Sequence, residues 1–246
     1  MTPASLTWGA PPATLHLTPN SVHLWRAWLD PKNPSAGLWE ALSQPEQQQA
    51  VDLQPGRPRQ RFIASRGLRR RVLAHYTGDA PAHLRFDLGA HGKPALSSGF
   101  GDGAIHFNLS HSHELLLCAV SRQRRVGVDV ERVRPLPAID RMAGRVMSDA
   151  EAAAWQALPA EEKLPVFFST WTRKEALVKG QGERLAAAFA RVDVTLAPGQ
   201  QTTQLSGQDD QPAWLIYSLS VAAGYAGAVA IEETEPVLEW HSYHLM

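Results

Sequence analysis

The chain predicts an α+β fold made of two lobes of comparable size. Three observations carry that expectation. Short segments with a two-residue apolar period stand apart from longer segments with a helical period of about 3.6 residues. The style of the first half, strands and helices in turn, returns in the second. Finally, 246 residues, 44% hydrophobic and 20% charged, suffice for a real core, as one large domain or two of about 120 residues.

Taken in order, Val22 to Leu29 reads as an edge strand, Trp39 to Leu53 and Arg59 to Tyr76 as helices, and Ala104 to Leu109 as a short strand. Strands near 114–120 and 126–131 flank the polar turn Ser121 to Arg125, which predicts a hairpin. Arg134-Pro135-Leu136-Pro137 breaks the chain. Helices follow near 138–145, 148–157 and 162–179, with Pro165 tolerable in a first turn and Gly180 a natural stop, then strands near 192–196, 213–220 and 225–232. Pro198 to Pro212, rich in Gln, Gly and Asp, reads as a loop, and the tail after Glu233 as peripheral.

Charge and cysteine content narrow the function classes. The single Cys118, set in an apolar strand, excludes an intramolecular disulfide and fits a reducing compartment. No basic segment followed by an apolar run opens the chain, and Val221 to Ile231, the longest near-apolar stretch, is far shorter than the roughly 20 residues of a membrane span. A cytoplasmic protein without a membrane partner is expected. Net charge is zero, yet Leu53 to Gly78 contains seven arginines and no carboxylate, a patch that collects anions. A pI near 7.2 and the lack of interleaved aromatics disfavour nucleic acid, leaving a small polyphosphate or an acidic protein. On a helical wheel Arg61 falls with Ala64, Leu68 and Val72, so it leans toward the apolar side and hints at a bound anion, unless the helix begins later.

The chemistry concentrates in two segments. In Gly127-Val128-Asp129-Val130-Glu131 a strand sends Asp129 and Glu131 to one face, and two neighbouring carboxylates repel unless a cation sits between them. Magnesium, which takes one or two carboxylates plus waters and phosphate oxygens, suits such a pair; outward carboxylates on a strand edge are the alternative. In Trp171-Thr172-Arg173-Lys174-Glu175-Ala176-Leu177-Val178-Lys179, Glu175 and Lys179 share a helical stripe, as a functional couple or as an ordinary surface pair. Two smaller signals, His91-Gly92-Lys93-Pro94 and Asn108-Leu109-Ser110-His111-Ser112-His113, sit where loops are expected, with a lysine, hydroxyls and imidazoles that suit phosphate oxygens. Zinc at His111 and His113 lacks further ligands. A hydrolytic serine at Ser110 lacks its elbow of glycines, and Gly99, Gly101 and Gly103 precede a strand rather than open a helix, unlike a dinucleotide fingerprint.

In order, Arg61-Phe62-x3-Arg66, Gly92-Lys93-Pro94, Phe107 to Ser112, Gly127 to Glu131 and Trp171-x2-Lys174-Glu175-Ala176-x2-Lys179 resemble the motif series of the 4'-phosphopantetheinyl transferases, most closely the larger two-lobed type that acts on synthase carrier domains. The resemblance covers Val22 to Lys179. It implies two similar, pseudo-symmetric lobes, each a small, mostly antiparallel sheet with packed helices, divided as 1–115 and 116–246 with the active site in the cleft between. The implied reaction moves the phosphopantetheine arm of coenzyme A onto a serine of an acyl or peptidyl carrier protein. By resemblance Asp129, Glu131 and Glu175 hold magnesium, with manganese as the alternative ion. Glu175 is the general base, Lys179 serves the leaving phosphate, Ser110 and His111 meet coenzyme A phosphates, and Arg61, Arg66 and Lys93 lie near its 3'-phosphate and adenine end. Arg59 stands one turn from exchanging places with the arginines named. A monomer is implied. Two other classes stay open: a non-catalytic carrier-binding module, and a metal-dependent nucleotide- or nucleic-acid-processing protein, which would bind DNA or RNA in a salt-dependent way.

Overall fold

A computed structural model describes residues 6–29, 37–89, 91–182, 189, 192–194, 202–205, 212–233 and 239–244. The fold is mixed α+β. Its strands are β1 (Ser21–Trp28), β2 (Phe86–Leu88), β3 (Pro94–Leu96), β4 (Ile105–Ser112), β5 (Leu115–Arg122), β6 (Val126–Arg132), β7 (Thr202–Leu205), β8 (Trp214–Leu219), β9 (Tyr225–Glu232) and β10 (Glu239–His244). Its helices are α1 (Gln44–Asp52), α2 (Arg57–Thr77), α3 (Ile139–Val146), α4 (Asp149–Gln156) and α5 (Ala160–Gln181). One four-stranded sheet runs β10-β1-β5-β4, a second β6-β9-β8-β7, and β2 and β3 form a separate pair.

Side-chain alternation explains how these parts stack. On β5, Leu116, Cys118 and Val120 join Trp25 and Ala27 of β1 in a core covered by Leu68, Val72 and Leu73 of α2. The opposite faces, Val22 and Leu24 with Leu115, Leu117 and Ala119, meet Val126, Val128 and Val130 of β6 and Val229 and Ile231 of β9. Ala228 and Ala230 turn the other way, onto Ala176 and Leu177 of α5. The layers are therefore α2, first sheet, second sheet, α5. The strand β5 is apolar from Leu115 to Val120 because it is covered on both faces there. Burial pushes the Cys118 thiol up to about 12, so it is an inert core group.

Four expectations are corrected. The segments 114–120 and 126–131 do not form a hairpin: β5 pairs with β4 and β1, while β6 starts the other sheet beside β9. The alternating apolar face of β6 is what the second sheet needs, and a short polar turn serves a change of sheet as well as a hairpin. The strand β1 is internal, not an edge, because β10 from the supposedly peripheral tail pairs parallel to it, Val22 with Trp240 and Leu24 with Ser242. The helix α5 begins at Ala160, so Pro165 lies inside it rather than in its first turn. Residues 192–194 form no strand, and β7 lies within the stretch read as a loop; 195–196 and most of 198–212 fall outside the described residues. A cut at 115 falls where β5 begins, directly after the turn that joins it to its ladder partner β4.

Candidate active site

The site forms where two sheet edges come side by side. The strand β4 is the last of the first sheet and β6 the first of the second. No backbone ladder joins them; alternate side chains of β4 do so instead. Asn108 Oδ1 accepts the Val128 amide at 2.9 Å, Ser110 Oγ donates to Asp129 Oδ1 at 2.7 Å, and Ser112 Oγ donates to Glu131 Oε2 at 2.7 Å while accepting the Arg132 amide at 3.1 Å. Polar side chains with a period of two thus satisfy an edge that would otherwise be bare. Ser110 and His111 are strand residues, which corrects the expectation of a loop at 108–113; only His113, with a positive φ of 54°, belongs to the turn.

The helix α5 supplies the other wall. Asp129 and Glu131 leave β6 on the face opposite Val128 and Val130, toward α5, and Gly127 lies on that same face. A Cβ on Gly127 would run into the Ala176 carbonyl oxygen and the Gly180 nitrogen, and one on Gly180 would stand 2.6 Å from the Trp214 ring. Only glycine at both positions lets strand and helix approach this closely. As a result Lys179 Nζ donates to Asp129 Oδ1 at 2.6 Å and to Ser110 Oγ at 3.1 Å.

The electrostatics follow from three acids around one lysine. Burial raises the Glu175 carboxyl to about 7; Lys179 opposes the shift, and the charges of Asp129 and Glu131 add to it. Burial also raises Asp129, against Lys179 and Ser110, and raises Glu131, against the Ser112 hydroxyl. Asp129 is 2% exposed, and its Oδ2 has no hydrogen-bond partner. Among the described residues, no three His, Cys, Asp or Glu side chains are gathered closely enough to hold a metal ion as they stand.

The remaining candidates lie at different distances from this centre. Partial burial lowers the His111 pKa, and Arg61 and Lys179 push it further down, so Arg61, His111 and Lys179 share one electrostatic neighbourhood. Arg61 itself is exposed, not turned toward the core as its helical-wheel position suggested. The inward positions of α2 belong instead to Arg69 and Arg70, which bind Glu46 at 3.1 and 2.5 Å. Arg66 lies over the Phe62 ring. Lys93 spans to the second sheet, where its Nζ donates to the Val126 and Gly180 carbonyls, both at 3.0 Å; burial and then Arg125 lower it to about 8. It borders a cleft of about 310 Å³ with His106, Arg125 and Gln181. Residue-type reasoning missed the roles of Asn108 and Ser112, although the alternation Asn108-x-Ser110-x-Ser112 opposite Asp129-x-Glu131 was a readable signal.

Comparison with known proteins places the chain in a family. Residues 125–230, which carry β6, α5 and the strands behind them, match the sequence profile of the 4'-phosphopantetheinyl transferase superfamily. The 4'-phosphopantetheinyl transferase HetI of Nostoc sp. is 35% identical over 226 residues, 92% of this chain and 93% of its own length. The chain belongs to the 4'-phosphopantetheinyl transferase superfamily. Within that superfamily, AcpT of Salmonella typhimurium is 38% identical over 116 residues, 47% of this chain and 58% of its own. Sfp of Bacillus subtilis is 30% identical over 147 residues, 59% and 62% of the two lengths. The profile match takes in Asp129, Glu131, Glu175 and Lys179, whereas Arg61, Arg66, Lys93, Ser110 and His111 lie before it.

Proposed function

We propose that this transferase moves the 4'-phosphopantetheine arm of coenzyme A onto a serine hydroxyl of an acyl or peptidyl carrier protein and releases adenosine 3',5'-bisphosphate. The observation that carries the reading is the contact of Ser110, Asp129 and Lys179, with Glu131 and Glu175 beside it, at the meeting of two sheet edges. The active site is then the seam between two related lobes.

The donor set suits a hard divalent cation. Beyond burial, the charge of Asp129 raises Glu131, and the charges of Asp129 and Glu131 raise Glu175, a repulsion that a cation relieves; Asp129 Oδ2 is also buried with no hydrogen-bond partner. Asp129, Glu131 and Glu175 are the residues that would hold magnesium. When bound, the ion neutralises pyrophosphate charge as the phosphorus is attacked.

The chain's own groups do the rest. Glu175, with a carboxyl near 7, accepts the serine proton as the serine oxygen bonds to the β-phosphorus and the bond to the bridging oxygen breaks; such a base contributes about 10²- to 10⁴-fold. Lys179 stabilises the oxygen that leaves. Ser110 and His111 orient the pyrophosphate, and Arg61, Arg66 and Lys93 receive the 3'-phosphate and adenine end. Arg132, Arg134, Arg141 and Arg145 are exposed along and beyond the end of β6, a basic rim for an acidic carrier. We place the protein in the cytoplasm as a monomer; among the described residues no helix is long and apolar enough to cross a membrane.

The test is to incubate the protein with coenzyme A, magnesium and an unmodified carrier, then weigh the carrier. A gain of one phosphopantetheine arm, lost in Asp129→Ala and Glu175→Gln and on chelation of magnesium, is expected. No gain across acyl and peptidyl carriers would overturn the proposal.

A further inference from the structure

Lys174 precedes Glu175 on α5 and points away from the carboxylate cluster, into an apolar region formed by Val146, Met147, Trp155, Phe167, Phe168 and Phe189. Its side chain is 1% exposed. There the ammonium meets three acceptors: Glu151 Oε2 at 2.5 Å, the Val146 carbonyl at 2.9 Å and the Phe189 carbonyl at 2.7 Å. A lysine ammonium has three protons to donate, so its capacity is filled. Glu151, 4% exposed, is filled as well: it accepts the Ser148 amide at 2.9 Å and the Val194 amide at 2.6 Å. One buried ion pair therefore ties together the end of α3, the start of α4, the middle of α5, Phe189 and Val194.

A buried pair of this kind is weak evidence for stability alone, because an apolar pair of equal volume often does as well. Its geometry offers something an apolar pair lacks, which is direction. Successive residues of a helix are turned by about 100°, so fixing the azimuth of Lys174 fixes the azimuth of Glu175. The glycine contact of Gly127 with Ala176 and Gly180 sets how near α5 lies to β6, and Lys179 on Asp129 holds the side of the helix that faces β6, whereas the Lys174 tether holds its other side. Two of the tethered elements also connect the acids: the chain from Glu131 to Glu175 runs through α3 and α4, and Lys174 closes that loop on α5.

We propose that Lys174, held by Glu151, is a positioning residue that locks the rotation of α5 so that Glu175 faces Asp129 and Glu131. The activity arm of its test rests on the transferase reading above; the exchange arm does not. Lys174→Met alone strands the Glu151 carboxylate, so the informative variant is Lys174→Met/Glu151→Gln, which removes both charges and keeps an acceptor for the cap at Ser148.

Hydrogen exchange on the wild type is measured first, and the Ser148 and Val194 amides are expected among the slow ones. In the double variant, thermal stability is expected to return to near the wild-type value. The amides of 146–151 and 192–194 then exchange at least about tenfold faster, and kcat on a carrier falls by about 10²-fold, the loss that a displacement near 1 Å produces. Fast exchange of Ser148 and Val194 in the wild type, or a double variant with wild-type kcat, would overturn the proposal. Should the wild type modify no carrier, the transferase reading fails, and the exchange measurements still decide whether the pair holds these segments.

Discussion

Gly127 on β6 and Gly180 on α5 cross with no space for a side chain on Gly127. Because the obstacle is backbone, the Ala176 carbonyl and the Gly180 nitrogen, a methyl group there cannot be absorbed by a rotamer change. Gly127→Ala is expected to cost about 3 kcal/mol, the upper part of the range for overpacking, and to abolish transfer by moving Asp129 off Lys179. Gly144→Ala, where nothing lies within 4 Å of the added carbon, is the control and leaves both intact. Urea unfolding with parallel activity assays checks the pair.

Glu175 yields a prediction that separates stability from function. Its carboxyl lies near 7 in the folded protein against an ordinary value of 4.5, so between those pH values the native state binds the proton more readily than the unfolded chain. The sign follows: this contribution to stability is complete below about 4.5 and is lost as pH rises to about 7, on the order of 3 kcal/mol in all. Glu175→Gln, neutral at every pH, is expected to be more stable than wild type by about 2–3 kcal/mol at pH 8 and equal to it near pH 4, while losing transfer. Denaturant titrations at the two pH values without added metal measure this. Equal stability at pH 8 would contradict it.

Lys179 is the cation that makes a buried Asp129 tolerable. Lys179→Met is expected to destabilise the protein by about 2 kcal/mol at pH 7, less than for a fully buried pair because the lysine side chain is 28% exposed. The loss shrinks as pH falls, since a protonated Asp129 needs no partner. Unfolding midpoints at pH 7 and pH 5 provide the comparison.

The arginine patch divides into two roles. Glu46 holds Arg69 and Arg70, which are 5% and 3% exposed, and also closes the cap at Ser43. Glu46→Ala is expected to cost about 3–5 kcal/mol by leaving two guanidinium groups buried without a carboxylate. Arg61→Ala is expected to leave the unfolding midpoint unchanged and to raise KM for coenzyme A. A Glu46→Ala variant with wild-type stability would refute the structural half.

These cases show what the sequence could and could not disclose. Period-two and helical patterns placed β1, β8, β9, α2 and α5 within a few residues, because each buries an apolar face that its own side chains define. Pairing partners were less legible. The segments 114–120 and 126–131 looked like a hairpin because both alternate and a polar turn separates them, and nothing local tells a strand which sheet it will enter. Arg61 looked inward because a helical wheel carries no information about Glu46 on the preceding helix α1, which draws Arg69 and Arg70 in while Arg61 stays exposed. The acids and Lys179 were legible as a motif, whereas the bonds from Ser110 and Ser112 needed the edge of β4 to be set beside β6.

The parallel pairing of β10 with β1 bears on how the chain is made. Its first sheet contains residues 21–28 and 239–244, so that sheet cannot close during synthesis until residue 244 has left the ribosome. Until then β1 carries an open edge, and any cut that separates the ends leaves neither piece with a complete set of strands. A nascent chain thus depends on β10 to shield β1 from mispairing.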